Sequence, residues 1–97
     1  MATYVALLNW TEHGIKNFKD STKRASEARD AMQKAGVTLK EIYWTVGPYD
    51  VVCLFEAADE ETLTAALLKL GSGGNVRTTT LRAFTQSEFE AIVSRAG

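Results

Sequence analysis

Asn9, Trp10, Tyr43, Trp44, Tyr49, Asp50 and Arg82 are the residues of this chain whose types suit recognition chemistry. Tryptophan and tyrosine each join a large apolar face to one polar atom. Asparagine, aspartate and arginine supply oriented donors and acceptors. Small-molecule pockets have this make-up, mostly apolar with a few directed polar groups. The same types are enriched at oligomer interfaces, so Asn9, Trp10, Tyr43, Trp44 and Arg82 are candidates for either role. No catalytic residue is assigned, because no base–nucleophile pair stands out. His13 is the single histidine; it sits in a polar loop without an orienting carboxylate, and one histidine cannot build a zinc site. Haem ligation or general-base work by His13 is the exceptional reading. Cys53 is the single cysteine, so neither an internal disulfide nor a cysteine metal site can form. Its place among apolar residues suits inert core. No metal and no cofactor is expected.

Two glycine-bearing segments need separate treatment. Gly47-Pro48-Tyr49-Asp50 has the chemistry of a turn: glycine for positive φ, proline for fixed φ, aspartate for backbone hydrogen bonds. The alternative makes Tyr49 and Asp50 a donor and an acceptor at a pocket mouth. Gly71-Ser72-Gly73-Gly74 follows a helical pattern rather than preceding one and lacks a Lys-Ser/Thr pair. It is a helix terminator, not a phosphate loop. Arg77 and Arg82 lie an odd number of residues apart and face opposite sides of a regular strand. A structural ion pair is the expectation for each, with a ligand anion as the alternative for one.

These residues are positioned by a simple run of elements. Thr3 to Trp10 is rich in β-formers and predicts a first strand. After a polar segment with Gly14, Asp20 or Ser21 offers the cap of a helix reaching about Ala35, with Gly36 as its stop. Ala25, Ala28, Met32 and Ala35 sit at helical spacing, and so many alanines predict a helix lying close on whatever covers it. Val37 to Val46 and Asp50 to Ala57 predict an antiparallel hairpin. Asp59 caps a second helix whose buried stripe is Leu63, Ala66, Leu67 and Leu70. Asn75 to Phe84 is a fourth strand. Thr85 and Glu88 form a capping box for a short last helix with Phe89, Ile92 and Val93 on one side. The fold class is therefore α+β, a ferredoxin-like βαββαβ with a four-stranded antiparallel sheet and a C-terminal helix, in one domain over residues 1–97.

The strand pattern also predicts an oligomer. Two helices cover one face of such a sheet, and a face left to water should be polar. Instead Val51, Cys53 and Phe55 point one way while Val52 and Leu54 point the other, and Val5 and Leu7 lie opposite Tyr4, Ala6 and Leu8. Apolar residues on both faces call for cover on both, a part from the C-terminal helix and the larger share from a second subunit packed sheet against sheet.

Composition narrows the function. With 45% apolar and 24% charged residues the chain is an ordinary globular one, and a net charge of −1 gives no bulk attraction to nucleic acid or anionic membrane. The Tyr4–Leu8 apolar run is far short of a membrane span, and no targeting segment is evident. A soluble protein of a reducing compartment, the cytoplasm, is expected.

Tyr43-Trp44-Thr45-Val46-Gly47-Pro48-Tyr49-Asp50 contains a Gly-x-Tyr-Asp signature and resembles the GYD-domain family. Asn9-Trp10-Thr11 with Gly14-Ile15, Lys19-Asp20-Ser21, Gly74-Asn75-Val76-Arg77-Thr78 and Leu81-Arg82-Ala83-Phe84 resemble it in the same order, so the likeness spans nearly the whole chain. It implies a dimeric α/β-barrel in which two ferredoxin-like sheets pack face to face. Fold kinship alone does not decide function. The first expectation is a homodimer or higher homo-oligomer that binds a small molecule in an apolar cleft or serves as an interaction module. The alternative is a cofactor-free enzyme, of monooxygenase or isomerase type, acting on an aromatic or quinone-like compound. RNA binding shares the element order, but an acidic chain without a basic rim argues against it.

Overall fold

The computed structural model describes residues 1–97. Its strands are β1 (Ala2–Trp10), β2 (Val37–Trp44), β3 (Val51–Ala57) and β4 (Val76–Ala83); its helices are α1 (Glu12–Lys16), α2 (Ser21–Lys34), α3 (Glu60–Ser72) and α4 (Gln86–Ala96). The strands form one antiparallel sheet in the order β2-β3-β1-β4, so the expected βαββαβ plan is present. Two elements were absent from the sequence expectation: α1, and a single 3₁₀ turn at Phe18–Asp20.

Local chemistry explains most boundaries. The Asp59 carboxylate accepts from the Thr62 amide at 2.8 Å and starts α3. Thr85 and Glu88 form the reciprocal capping box, at 2.8 and 3.1 Å. These amide donors hold the Asp59 and Glu88 carboxyls below the usual carboxylate range. Both caps are therefore intact at neutral pH and weaken as pH falls through that range. Gly36, at φ 89°, ends α2 in the left-handed conformation that a side chain would resist. Asp20 does not cap α2 with its side chain. The preceding 3₁₀ turn leaves it at φ −94°, ψ 4°, away from the extended conformation a capping carboxylate needs. β2 stops at Trp44, two residues earlier than expected, because Thr45 already belongs to the turn and donates its amide to the Asp50 carbonyl at 2.8 Å.

The two central strands, β1 and β3, bury every second side chain. Tyr4, Ala6 and Leu8 pair with Phe55, Cys53 and Val51 beneath the helices, joined by Val37, Leu63, Ala66 and Met32. On the other face Val5, Leu7, Val52 and Leu54 are half-buried, while Leu81 is 50% and Tyr43 59% exposed. The chain's own α4 does not cover them. Its Phe89, Ile92 and Val93 are themselves 54%, 37% and 55% exposed, and no residue of α4 is buried. The radius of gyration, 14.6 Å, exceeds the roughly 12.5 Å of a compact chain of this length, as a projecting arm requires.

The two edges of the sheet differ. β2 carries a bulge between Leu39 and Glu41, with Lys40 set 3.6 Å from Glu56. β4 runs in unbroken register with β1 from Val76 to Ala83. α2 lies on the sheet chiefly along β2, with Met32 as its one buried residue; Ala25 and Ala28 face a cavity, and Ala35, just beyond its end, is exposed. The Trp44 indole of β2 reaches the first turn of α2, where its Nε1 donates to Ser21 Oγ at 2.9 Å. No helix is long and apolar enough to cross a membrane.

Candidate functional site

The space left under α2 is a cavity of about 90 Å³. Sheet residues Leu8, Val51, Cys53 and Phe55 form its floor, and 13 of its 16 lining residues are hydrophobic. It adjoins a groove of about 320 Å³ between α2 and α3. Arg24, Ala28, Met32, Leu70 and Asn75 line both spaces and so mark the boundary between them. Arg24 is the one charged residue lining the cavity, while Glu27 and Lys69 line the outer groove. An apolar chamber with few polar groups at its mouth suits a small hydrophobic ligand.

Trp10 and Trp44 line this cavity, as their types suggested. Asn9, Tyr49 and Asp50 gather at the same end of the sheet but serve the backbone. Asn9 Nδ2 donates to the Pro48 carbonyl at 2.7 Å. The Asp50 carboxylate accepts from the Trp10 amide at 2.9 Å, and the Asp50 amide donates to the Leu8 carbonyl, also at 2.9 Å. The Tyr49 carbonyl accepts from the Thr45 hydroxyl at 2.6 Å. Asp50 thus extends the β1–β3 ladder one step beyond its last regular pair, with a carboxylate in place of a carbonyl. Gly47 enters the turn at φ 132°. Turn chemistry accounts for the Gly-x-Tyr-Asp segment. Asp50→Ala leaves the Trp10 amide without its partner and is expected to lower stability by about 1–2 kcal/mol, read by urea denaturation. A variant as stable as the parent would mean that this bond contributes nothing.

The remaining two candidates lie elsewhere. Tyr43 is on the open face, its hydroxyl 3.2 Å from Glu41. Arg82 pairs with Tyr4 on β1, six residues along β4 from the Val76 that pairs with Trp10, or roughly 20 Å away. It donates to the Thr3 and Ala83 carbonyls and lies over the Phe84 ring, 4.3 Å from its centre. The two arginines do face opposite sides, since Arg77 pairs with Asn9 and Arg82 with Tyr4. Neither makes the ion pair expected of it; the one salt bridge is Lys40–Glu56. Backbone carbonyls and an aromatic ring have taken the acidic partner's place beside Arg82.

Cys53 is 4% exposed in the cavity floor, and burial pushes its thiol up from 9.0 to about 11. Because the fold keeps the thiol neutral, stability is complete below the unfolded value and declines as pH rises from 9.0 toward about 11. At pH 8 the folded protein is expected to resist a thiol reagent such as dithionitrobenzoate, and to react at once in denaturant. Rapid reaction without denaturant would show that the cavity admits a reagent of that size. His13 sits on α1, exposed, and no cluster of three metal-ligating side chains exists.

Sequence reasoning missed Arg24, Ser21 and Asn75 at this boundary. Ser21 and Arg24 were legible only as helix residues and Asn75 only as the start of a strand, and their convergence is a fact of tertiary packing. It also missed the contact of Gly14 with the Asn75 backbone, where no Cβ fits.

The family described as the GYD domain matches this chain over residues 4–93. A Thermus thermophilus protein named glutamine synthetase and cystathionine beta-lyase binding protein is 33% identical over 92 residues, which cover 94% of this chain and 97% of that protein. The crystal structure of TTHA0845, also from Thermus thermophilus, superposes with a TM-score of 0.56 at 28% identity, covering 88% of this chain and 95% of that one.

Proposed function

This chain belongs to the GYD domain family, and from that premise we propose that it is a homodimeric protein-interaction module of the cytoplasm. One observation carries the reading: two apolar surfaces on one chain lack cover. The open sheet face presents Val5, Leu7, Val52, Leu54 and Leu81, and α4 projects with Phe89, Ile92 and Val93 exposed. A helix of 11 residues with no packing of its own is marginal in water, so α4 gains its order from a docked surface. A second copy supplies both missing covers, sheet on sheet with each arm against its partner. The relative named for binding two enzymes favours proteins as the further partners.

Light scattering at micromolar concentration tests the assembly, with a dimer or a multiple of dimers expected. Sedimentation of the dimer with purified glutamine synthetase tests the partner class. A monomer in the first experiment overturns the reading.

The cavity beneath α2 favours a second role, as a small-molecule site within the same module. The catalytic alternative finds no support in the geometry. The Asn9 and Asp50 side chains are held by the turn, and no base–nucleophile pair faces the cavity.

A further inference from the structure

We propose that the cavity under α2 and its boundary with the α2–α3 groove form a binding site for a small apolar monocarboxylate, with Arg24 as the carboxylate anchor. The inference rests on the small-molecule role just described and names its ligand class.

The polar groups around the cavity are unevenly distributed by sign. Ser21, Arg24 and Asn75 are its polar lining residues, and no carboxylate lines it. Arg24 and Asn75 stand at the boundary, lining both the cavity and the outer groove. The Arg24 guanidinium donates to the Asn17 carbonyl at 2.7 Å and to the Gly14 carbonyl at 3.4 Å. Those bonds use two of its five N–H groups and fix it in place, so three donors remain on a pre-positioned fork. The Asn75 amide has a single weak contact, to the Gly73 carbonyl at 3.5 Å. Ser21 Oγ accepts from Trp44 and keeps its own hydrogen to donate. A ligand head that meets these groups must accept hydrogen bonds, and the fixed positive charge favours an anion.

The interior sets the rest of the molecule. Leu8, Val51, Phe55 and Met32 offer no hydrogen bond beyond the head, so the tail is hydrocarbon. A cavity of about 90 Å³ is smaller than the roughly 150 Å³ that encloses benzene in a known engineered case. About four carbons fit inside, and with the head and its neighbouring carbon at the mouth the chain is limited to about six. Fatty acids of roughly four to six carbons, such as butyrate and hexanoate, match both ends of this description.

The test compares hexanoate, hexanol and hexylamine on the full-length protein by two-dimensional amide NMR, with the Arg24→Gln variant alongside. Hexanoate is expected to bind at least about tenfold more tightly than hexanol and to shift the amides of Ala28, Val51 and Cys53. Arg24→Gln should remove that advantage, and hexanol binding that remains in the variant shows that the cavity survives the substitution. Equal binding of hexanoate and hexanol to the parent would overturn the arginine anchor and leave the small-molecule role standing. Preference for hexylamine would overturn the ligand class. If none of the three binds at tens of millimolar and an Ala28→Phe variant gains stability by filling the space, the small-molecule role falls with it.

Discussion

Replacing Gly14 with alanine is expected to destabilise the protein by about 2–4 kcal/mol, a fall of roughly 10 °C or more in Tm. The added Cβ would overlap the carbonyl oxygen and carbon of Asn75, backbone atoms that cannot turn aside as a side chain would. That stretch is also tied on both sides of the clash. The Thr11 amide donates to the Asn75 carbonyl at 3.0 Å, the Thr11 hydroxyl bonds to the Gly74 carbonyl, and the Gly14 amide donates to Thr11 Oγ1 at 3.0 Å. Relief therefore costs either these bonds or the seating of α1. Gly47→Ala is the informative control. Gly47 has open space around it and differs from alanine only through its φ of 132°, so about 1 kcal/mol is expected. Thermal unfolding followed by circular dichroism separates the two. Equal losses would mean that the approach of α1 to Asn75 is looser than described.

Changing Phe89 and Ile92 to aspartate in one chain is expected to weaken the proposed dimer by a hundredfold or more. Large apolar anchors at an interface are each commonly worth about 2 kcal/mol or more, and every 1.4 kcal/mol is tenfold in Kd. Both side chains are exposed in the single chain, so neither supports the core around Phe55 and Val37. The variant should therefore remain folded as a monomer, with unchanged far-UV circular dichroism in its sheet signal. Sedimentation velocity over a concentration series reads the outcome. A dimer of undiminished affinity would show that α4 takes no part in the contact.

How much of this was legible in the sequence depended on the range of the interaction. Gly36, Asp59 and the Thr85–Glu88 box act within one helical turn, and each does in the fold what its type and spacing implied. The lack of alternation in β3 separated its two apolar sets, Val51, Cys53 and Phe55 from Val52 and Leu54, but only the fold shows that the first set lies beneath the helices. α1 was hidden because five residues containing a glycine carry no helical period; Thr11 capping it and Asn75 receiving it are facts of tertiary contact. Asp20 failed as a cap for a related reason, since a 3₁₀ turn fed straight into α2. The seven candidate residues were chosen by type, and type cannot say which end of a strand or which face a residue occupies. Trp10 and Trp44 proved to share a cavity, Asn9 and Asp50 to bind the turn, and Arg82 to lie at the far end of the sheet. The cavity beneath α2 was not foreseen, because small residues permit close approach without showing where a space remains.

The unlike edges of the sheet bear on how this protein behaves when crowded. An edge with free amides and carbonyls invites another strand, and a bulge or an inward charge discourages it. The bulge at Lys40 spoils one edge, whereas β4 from Val76 to Ala83 has no such interruption. The β4 edge is therefore the more receptive of the two to an added strand. Two molecules joined by their β4 edges would present only the bulged β2 edges outward, a geometry that favours a pair over a growing ribbon. Deleting Lys40 to straighten β2 is expected to weaken that bias.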